Sequence, residues 1–317
     1  MQAIITTHSS HIVSECDFDD VRYLKREKVN GVISKNLTTL EKVYKDEPEW
    51  YKFLKQYITL DRSELFFADK AIFVEGDTER ILLPTMMKMV DEEVEPAKDE
   101  MKLTSQNISI ISVGNYTQVF TKFFNFIGFK KICVITDIDI CEKVEKDKDG
   151  KKTVSYQECR WEDGKVLYTT NSSLKYYFDE KKLISDYRTL DSEGKRLSWD
   201  IKKKKWQQSK DGNMMVCYQT DINGYLPRSF EDAFFETNKD YICADGKVFR
   251  GLREKALNAY KDSGQKDSYE LAEKGISSKA TFAVDLLIDR AKADEKGYVG
   301  WSVPDYIKEG LLWIRKD

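Results

Sequence analysis

The chain has 317 residues, 41% hydrophobic and 34% charged, with 16 Gly and 5 Pro, a composition that excludes collagen-like, low-complexity and wholly disordered classes. Its 52 Lys+Arg against 55 Asp+Glu leave a net charge of −3, so bulk charge advertises neither nucleic-acid nor membrane binding, and any such surface must be local. No apolar run reaches the roughly 18 residues of a membrane helix and no leader pattern opens the chain, so a cytoplasmic protein without a membrane partner is expected.

In chain order, Ala3 to Thr7 is β-branched and predicts a strand, followed by a turn at His8-Ser9-Ser10 and a helix from His11. A strand so early has no preceding element to pair with, which reads as a fragment opening inside a larger domain. Glu47 to Tyr57 is amphipathic through Trp50, Phe53, Leu54 and Tyr57, and Asp61-Arg62-Ser63-Glu64 reads as a connector. From Leu65 the pattern becomes βα alternation: strand Lys70 to Val74, helix from Thr78, strand Ile108 to Val113, helix Thr117 to Ile127, strand Lys131 to Thr136. Such alternation predicts a parallel sheet flanked by helices. A Lys-, Asp- and Gly-rich stretch from about 142 to 210, with hairpin-like pieces, reads as an inserted α+β segment. The alternation resumes at Met215 to Tyr218 and Ser229 to Glu236, and a helical extension covers about 245–317, including Thr281 to Arg290 and Pro304 to Ile314.

The six cysteines form no CxxC pair, which points to reduced thiols rather than zinc or disulfides. His8 and His11 are the only histidines, which leaves carboxylates or lysine to carry any chemistry. Two segments supply carboxylates at strand ends. In Ala71-Ile72-Phe73-Val74-Glu75-Gly76-Asp77-Thr78-Glu79, Gly76 permits a tight turn and Glu79 lies one helical turn beyond Glu75. Pro84 is expected to kink the following helix or shift its start. In Ile132-Cys133-Val134-Ile135-Thr136-Asp137-Ile138-Asp139, the two aspartates sit at i and i+2 and face the same way. Four acids on one rim cannot all stay ionised and unpaired, and hard divalent cations, Mg²⁺ or Mn²⁺, neutralise them. Two such ions suit in-line phosphodiester chemistry. The blander readings are helix caps and solvated loop acids. For the run Lys202 to Lys205, beside Trp206 and Tyr218, a solvated charged segment is preferred over a track for a DNA backbone. The stripe Phe120, Phe123, Phe124, Phe126 and Ile127 reads as core.

Val74-Glu75-Gly76 together with Asp137-Ile138-Asp139 resembles the Toprim fold of topoisomerases, primases and several nucleases. Leu65-Phe66-Phe67-Ala68-Asp69 before the first strand narrows the resemblance to the OLD (overcoming lysogenization defect) family, which fuses an ABC-type ATPase head to a C-terminal Toprim nuclease. The resemblance implies a domain division at 1–64, the tail end of the ATPase head and connector, and 65–317, the Toprim nuclease domain. Ile5-Thr6-Thr7-His8-Ser9 is similar to the switch-histidine strand of such a head, although no GxxxxGK[ST] motif occurs, so ATP would act only in a full-length protein. Glu75, Glu79, Asp137 and Asp139 are implied metal ligands, with Glu75 also a general base. Ser229 and Glu231, in Ser229-Phe230-Glu231-Asp232, would help hold a second metal, although a helix cap and a helix N-terminal acid are the alternatives. Lys279 matches the position of a lysine that stabilises charge on the scissile phosphate. The tail from Trp301 to Leu311 is similar to the class 2, Gabija-type branch, which implies an anti-phage role, a UvrD-like helicase partner and homodimer formation through the full-length protein. The expected function is a metal-dependent endonuclease or nickase acting on double-stranded DNA with two divalent cations. The alternatives are another Toprim enzyme, of topoisomerase or primase type, and a non-catalytic DNA-binding module.

Overall fold

Apolar runs that alternate between two faces build the centre of the fold. The computed structural model describes residues 3–27, 31–61, 63–148, 151–297 and 299–316; Arg62 of the predicted connector lies outside them. An N-terminal antiparallel hairpin, β1 (Arg22–Glu27) and β2 (Gly31–Asn36), precedes β3 (Lys70–Val74), β4 (Ile108–Ser112) and β5 (Lys131–Ile135). Then come β6 (Ile140–Lys148), β7 (Lys151–Glu158), β8 (Tyr168–Thr169), β9 (Arg196–Asp200), β10 (Lys205–Gln208) and β11 (Met214–Cys217).

Six strands form one sheet in the order β10-β9-β11-β5-β3-β4. β4, β3, β5 and β11 are parallel neighbours, while β9 and β10 extend the β11 side in antiparallel fashion. The fold is α/β with a mostly parallel central sheet flanked by helices. Side chains of a strand point alternately to opposite faces, and here both faces are covered. Ala71, Phe73, Ile132, Val134, Met214 and Val216 enter one buried cluster with Phe120, Phe123 and Phe124. Ile72, Val74, Cys133, Ile135, Met215 and Cys217 enter a second with Phe234, Phe282 and Trp301. Val74 pairs with both Ser112 and Ile135, and Cys217 with Ile135, so β3, β4, β5 and β11 finish level with one another. Whatever follows them emerges at one carboxyl edge.

The Asp77–Glu93 helix covers the second face, and Pro84 neither ends it nor shifts its start. Pro84 is on the exposed side, where water can replace the missing N–H donor. Leu82, Leu83, Met86, Met87 and Val90 are buried, and at about 1.5–3 kcal/mol each they outweigh the roughly 3 kcal/mol that an interior proline costs. The Lys279–Lys296 and Asp305–Arg315 helices pack beside it. Buried Lys70 ties down the last helix by donating to Gln106 Oε1 (2.7 Å) and to the carbonyls of Ile314 (2.9 Å) and Lys316 (3.0 Å). A second sheet, β7-β6-β8, leaves the carboxyl edge directly after β5. Residues 3–9 form no strand, contrary to the reading of Ala3 to Thr7, because an extended segment without a ladder partner gains no strand hydrogen bonds; Ile4 is 90% exposed. Among the described residues, no helix is long and apolar enough to cross a membrane.

Candidate active site

Each acid is placed by the end of a buried strand or the start of a helix. Glu75 follows β3 directly, and one carboxylate oxygen, Oε2, accepts from Thr136 Oγ1 (2.6 Å), the Asp137 backbone N–H (3.0 Å) and Asn171 Nδ2 (3.2 Å). Asp137, two residues beyond β5, accepts at Oδ1 from Gln219 Nε2 (2.6 Å). The same Gln219 accepts from the Ile138 N–H at Oε1 (2.7 Å), so one buried amide fixes both the backbone and the carboxyl at the end of β5.

Glu79, in the first turn of its helix, is 4% exposed. A β-carbon at position 76 would lie 2.5 Å from Glu79 Oε2, so glycine leaves the space into which that carboxyl folds. Burial pushes Glu79 up from 4.5 to about 8, helped by the carboxylates of Glu231 and Glu75 and opposed by Lys279. Asp137 is held well above the usual carboxylate range by burial and by Glu75, Glu79, Asp139 and Glu231. Asp139 rises to about 6 through burial and Glu75, with Arg228 pulling the other way. Its left-handed backbone, φ 50°, is held by its N–H donating to the Arg228 carbonyl (3.2 Å) and by an ion pair to the Arg228 guanidinium (3.6 Å). That guanidinium also meets Glu158 (2.8 Å) and Glu273 (3.2 Å).

Glu231 sits in the first turn of the Phe230–Thr237 helix, accepting from Thr78 Oγ1 (3.1 Å) and Lys279 Nζ (3.0 Å). The structure therefore brings Glu75, Glu79, Asp137, Asp139, Glu231 and Lys279 to one edge. Ser229 is the N-cap of that helix, its hydroxyl accepting from the Asp232 N–H (3.4 Å). His8 is exposed, ahead of the Ser10–Ser14 helix, and takes no part in these hydrogen bonds. Trp206 and Tyr218 are 3% and 1% exposed, so neither can stack on a base beside Lys202 to Lys205. The sequence reading missed Gln219, Asn171, Thr78, Thr136 and Arg228. Gln219 alone carried a signal, standing just past a strand that ends at the acidic edge.

The donor set fits a hard divalent cation, being oxygen-only, anionic and largely buried, with its acids raising one another's proton affinity. Among the described residues no three His, Cys, Asp or Glu side chains stand close enough to share an ion as they are, so holding one requires these carboxyls to turn toward each other.

A pH dependence follows from Glu79. Its folded value of about 8 exceeds the ordinary 4.5, so the folded state keeps a proton that the unfolded chain has released. The stability this contributes is complete below pH 4.5 and is lost progressively up to about pH 8. In EDTA, Glu79→Gln is expected to flatten the fall in unfolding free energy between pH 5 and 8, measured by urea titration; equal slopes for both proteins would refute the assignment.

The chain is similar to known proteins. The family model described as overcoming lysogenization defect protein-like, TOPRIM domain, matches residues 66–139. Endonuclease GajA of Bacillus cereus (strain HuB5-5) is 30% identical over 335 residues, covering 99% of this chain and 43% of that protein, so the chain spans less than half the length of this relative. The C-terminal region of the Xanthomonas campestris pv. campestris OLD protein aligns with a TM-score of 0.37 and 18% identity, over 80% of this chain and 94% of that one. The family match spans β3 and β5 together with Glu75, Glu79, Asp137 and Asp139, so these four acids lie within an OLD-like Toprim domain.

Proposed function

We propose that the chain is a metal-dependent endonuclease that hydrolyses phosphodiester bonds of double-stranded DNA. The observation that carries this reading is one largely buried edge holding Glu75, Glu79, Asp137 and Glu231, with the ammonium of the exposed Lys279 side chain reaching Glu231. The 30% identity to a protein named an endonuclease supports it. Glu75, Glu79, Asp137, Asp139 and Glu231, with Ser229 beside them, would hold two divalent cations, Mg²⁺ or Mn²⁺. When bound, such ions neutralise developing charge and lower the proton affinity of water. Glu75 accepts the proton of the attacking water at Oε1, the oxygen left without a hydrogen-bond partner among the described residues, while Oε2 stays anchored. Lys279 leaves Glu231 to face the non-bridging oxygens of the scissile phosphate, where a cation stabilises transition-state charge.

The division at 1–64 and 65–317, an ATPase head in a longer protein, a cytoplasmic location, a Gabija-type anti-phage role and a UvrD-like helicase partner belong to the same proposal, supported by the sequence motifs and by the match to GajA. The test is incubation of the purified chain with supercoiled plasmid in Mg²⁺, Mn²⁺, Ca²⁺ or EDTA. Nicked or linear product in Mg²⁺ or Mn²⁺ and none in EDTA is expected. Metal-dependent thermal stabilisation without any cleavage would favour a binding module, and religated topoisomers would favour a topoisomerase.

A further inference from the structure

Asn171 comes from the stretch that reads as an insertion, yet its side chain is fully buried at the acidic edge. It has two sets of partners. Its Oδ1 accepts from the Leu174 N–H (2.9 Å), capping the Ser172–Tyr177 helix. Its Nδ2 donates toward Thr136 Oγ1 (2.9 Å), the Asp137 carbonyl (2.9 Å) and Glu75 Oε2 (3.2 Å). The neighbouring residues lock this placement. The Asn171 N–H donates to Thr169 Oγ1 (3.0 Å), Ser172 Oγ donates to the Asn115 carbonyl (2.8 Å), and the Ser173 N–H donates to Asn115 Oδ1 (3.0 Å).

We propose that Asn171 is a positioning residue for Glu75: with Thr136 and the Asp137 N–H it saturates Oε2 and leaves Oε1 as the working oxygen. This rests on the reading of the edge as a hydrolytic site. A carboxylate on a flexible stem samples several rotamers, and three donors converging on one oxygen select one of them. Thr136 and Asp137 belong to the same strand end, so Asn171 is the donor that arrives from elsewhere and ties the 142–210 stretch to the chemistry.

Two substitutions separate capping from positioning. Serine and aspartate rank with asparagine as N-caps, so Asn171→Ser and Asn171→Asp keep the helix while removing both N–H donors. The readouts are thermal unfolding, calorimetric titration with Mn²⁺ alone, and plasmid cleavage against Mn²⁺ concentration. Loss of an outer partner that orients a ligand costs about 10–100-fold in metal affinity or activity. Asn171→Ser should therefore unfold within a few degrees of the parent chain but bind Mn²⁺, or reach half-maximal cleavage, at a concentration about 10–100-fold higher. Glu75→Gln runs alongside. If Glu75→Gln loses cleavage while Asn171→Ser binds Mn²⁺ and cleaves as the parent does, the role of Asn171 falls and the site stands. If Glu75→Gln cleaves normally, the reading of the site falls and the proposal with it. If both Asn171 variants fail to fold, the residue is a structural cap and the proposal is overturned.

Discussion

Asp137→Asn is expected to lower metal-dependent plasmid cleavage by at least about 10³-fold while leaving the fold intact. Charge stabilisation by a correctly held cation is worth several kcal/mol and each 1.36 kcal/mol is tenfold in rate, so loss of one of its anionic ligands gives an effect of that order. Stability should move the other way. Burial and four surrounding acids raise Asp137 well above the usual carboxylate range, so the metal-free fold disfavours its charged form and a neutral amide of the same shape relieves that penalty. The Gln219 amide can still donate to Oδ1. Chemical denaturation in EDTA at pH 7.5 should find the variant at least as stable as the parent. Cleavage at the parental rate would remove the carboxylate edge from the mechanism. A large loss of stability would mean that Asp137 is ionised and structurally paired.

The second large effect lies away from the acids. Gly251 packs against the first turn of the Lys279–Lys296 helix, and a β-carbon there would stand 2.2 Å from the Phe282 nitrogen and 2.4 Å from its Cα. Both are backbone atoms, so no rotamer change relieves the clash. The same residue accepts from the Ser277 and Ser278 N–H groups, and its own N–H donates to Asp285 Oδ2 (2.9 Å). Gly251→Ala must therefore push that helix outward. Overpacking of this kind costs about 1–3 kcal/mol, occasionally more. The displaced turn begins with Lys279, and a shift of about 1 Å at a catalytic group can cost about 10²-fold. Thermal unfolding should show a Tm lower by several degrees, and cleavage measured well below that Tm should fall by about 10²-fold. An unchanged Tm would show that the helix yields freely, and unchanged cleavage in a destabilised variant would show that Lys279 does not act on the phosphate.

Where the sequence was legible, the physics was local or repetitive. β3, β5 and β11 are buried on both faces, so they read as short continuous apolar runs, and Glu75, Asp137 and Asp139 follow their ends in register. Glu79 is legible through helical spacing, whereas Glu231 and Lys279 emerged only through the resemblance to the OLD family, since a helix start alone reads as a cap acid and a solvated lysine. The region from 142 to 210 was opaque for a different reason. β9 and β10 join the central sheet antiparallel, which βα alternation does not foretell, and Asn171 gains its meaning only from partners up to 96 residues away. A side-chain amide has no sequence periodicity to announce it. Arg228 escaped because its partners are set by how the strand ends line up, and Gln219 was marked only by its place just past β11.

The β6–β7 hairpin leaves the sheet edge at Ile140 and returns at Glu158, opposite Cys141. Arg228 grips that root, pairing with Glu158 and donating from Nε to the Ile140 carbonyl (3.2 Å), while its other contacts reach Asp139 and Glu273. Root and tip therefore tolerate change unequally. The strand pairs from Val144 and Ser155 outward to Lys148 and Lys151 bond to each other and not to β8, so matched pairs can be removed or exchanged with little effect on the acidic edge. Trimming back through Glu158 strips a carboxylate from a guanidinium that also steadies Asp139. A graft that carries a binding epitope or a fluorophore belongs at the tip.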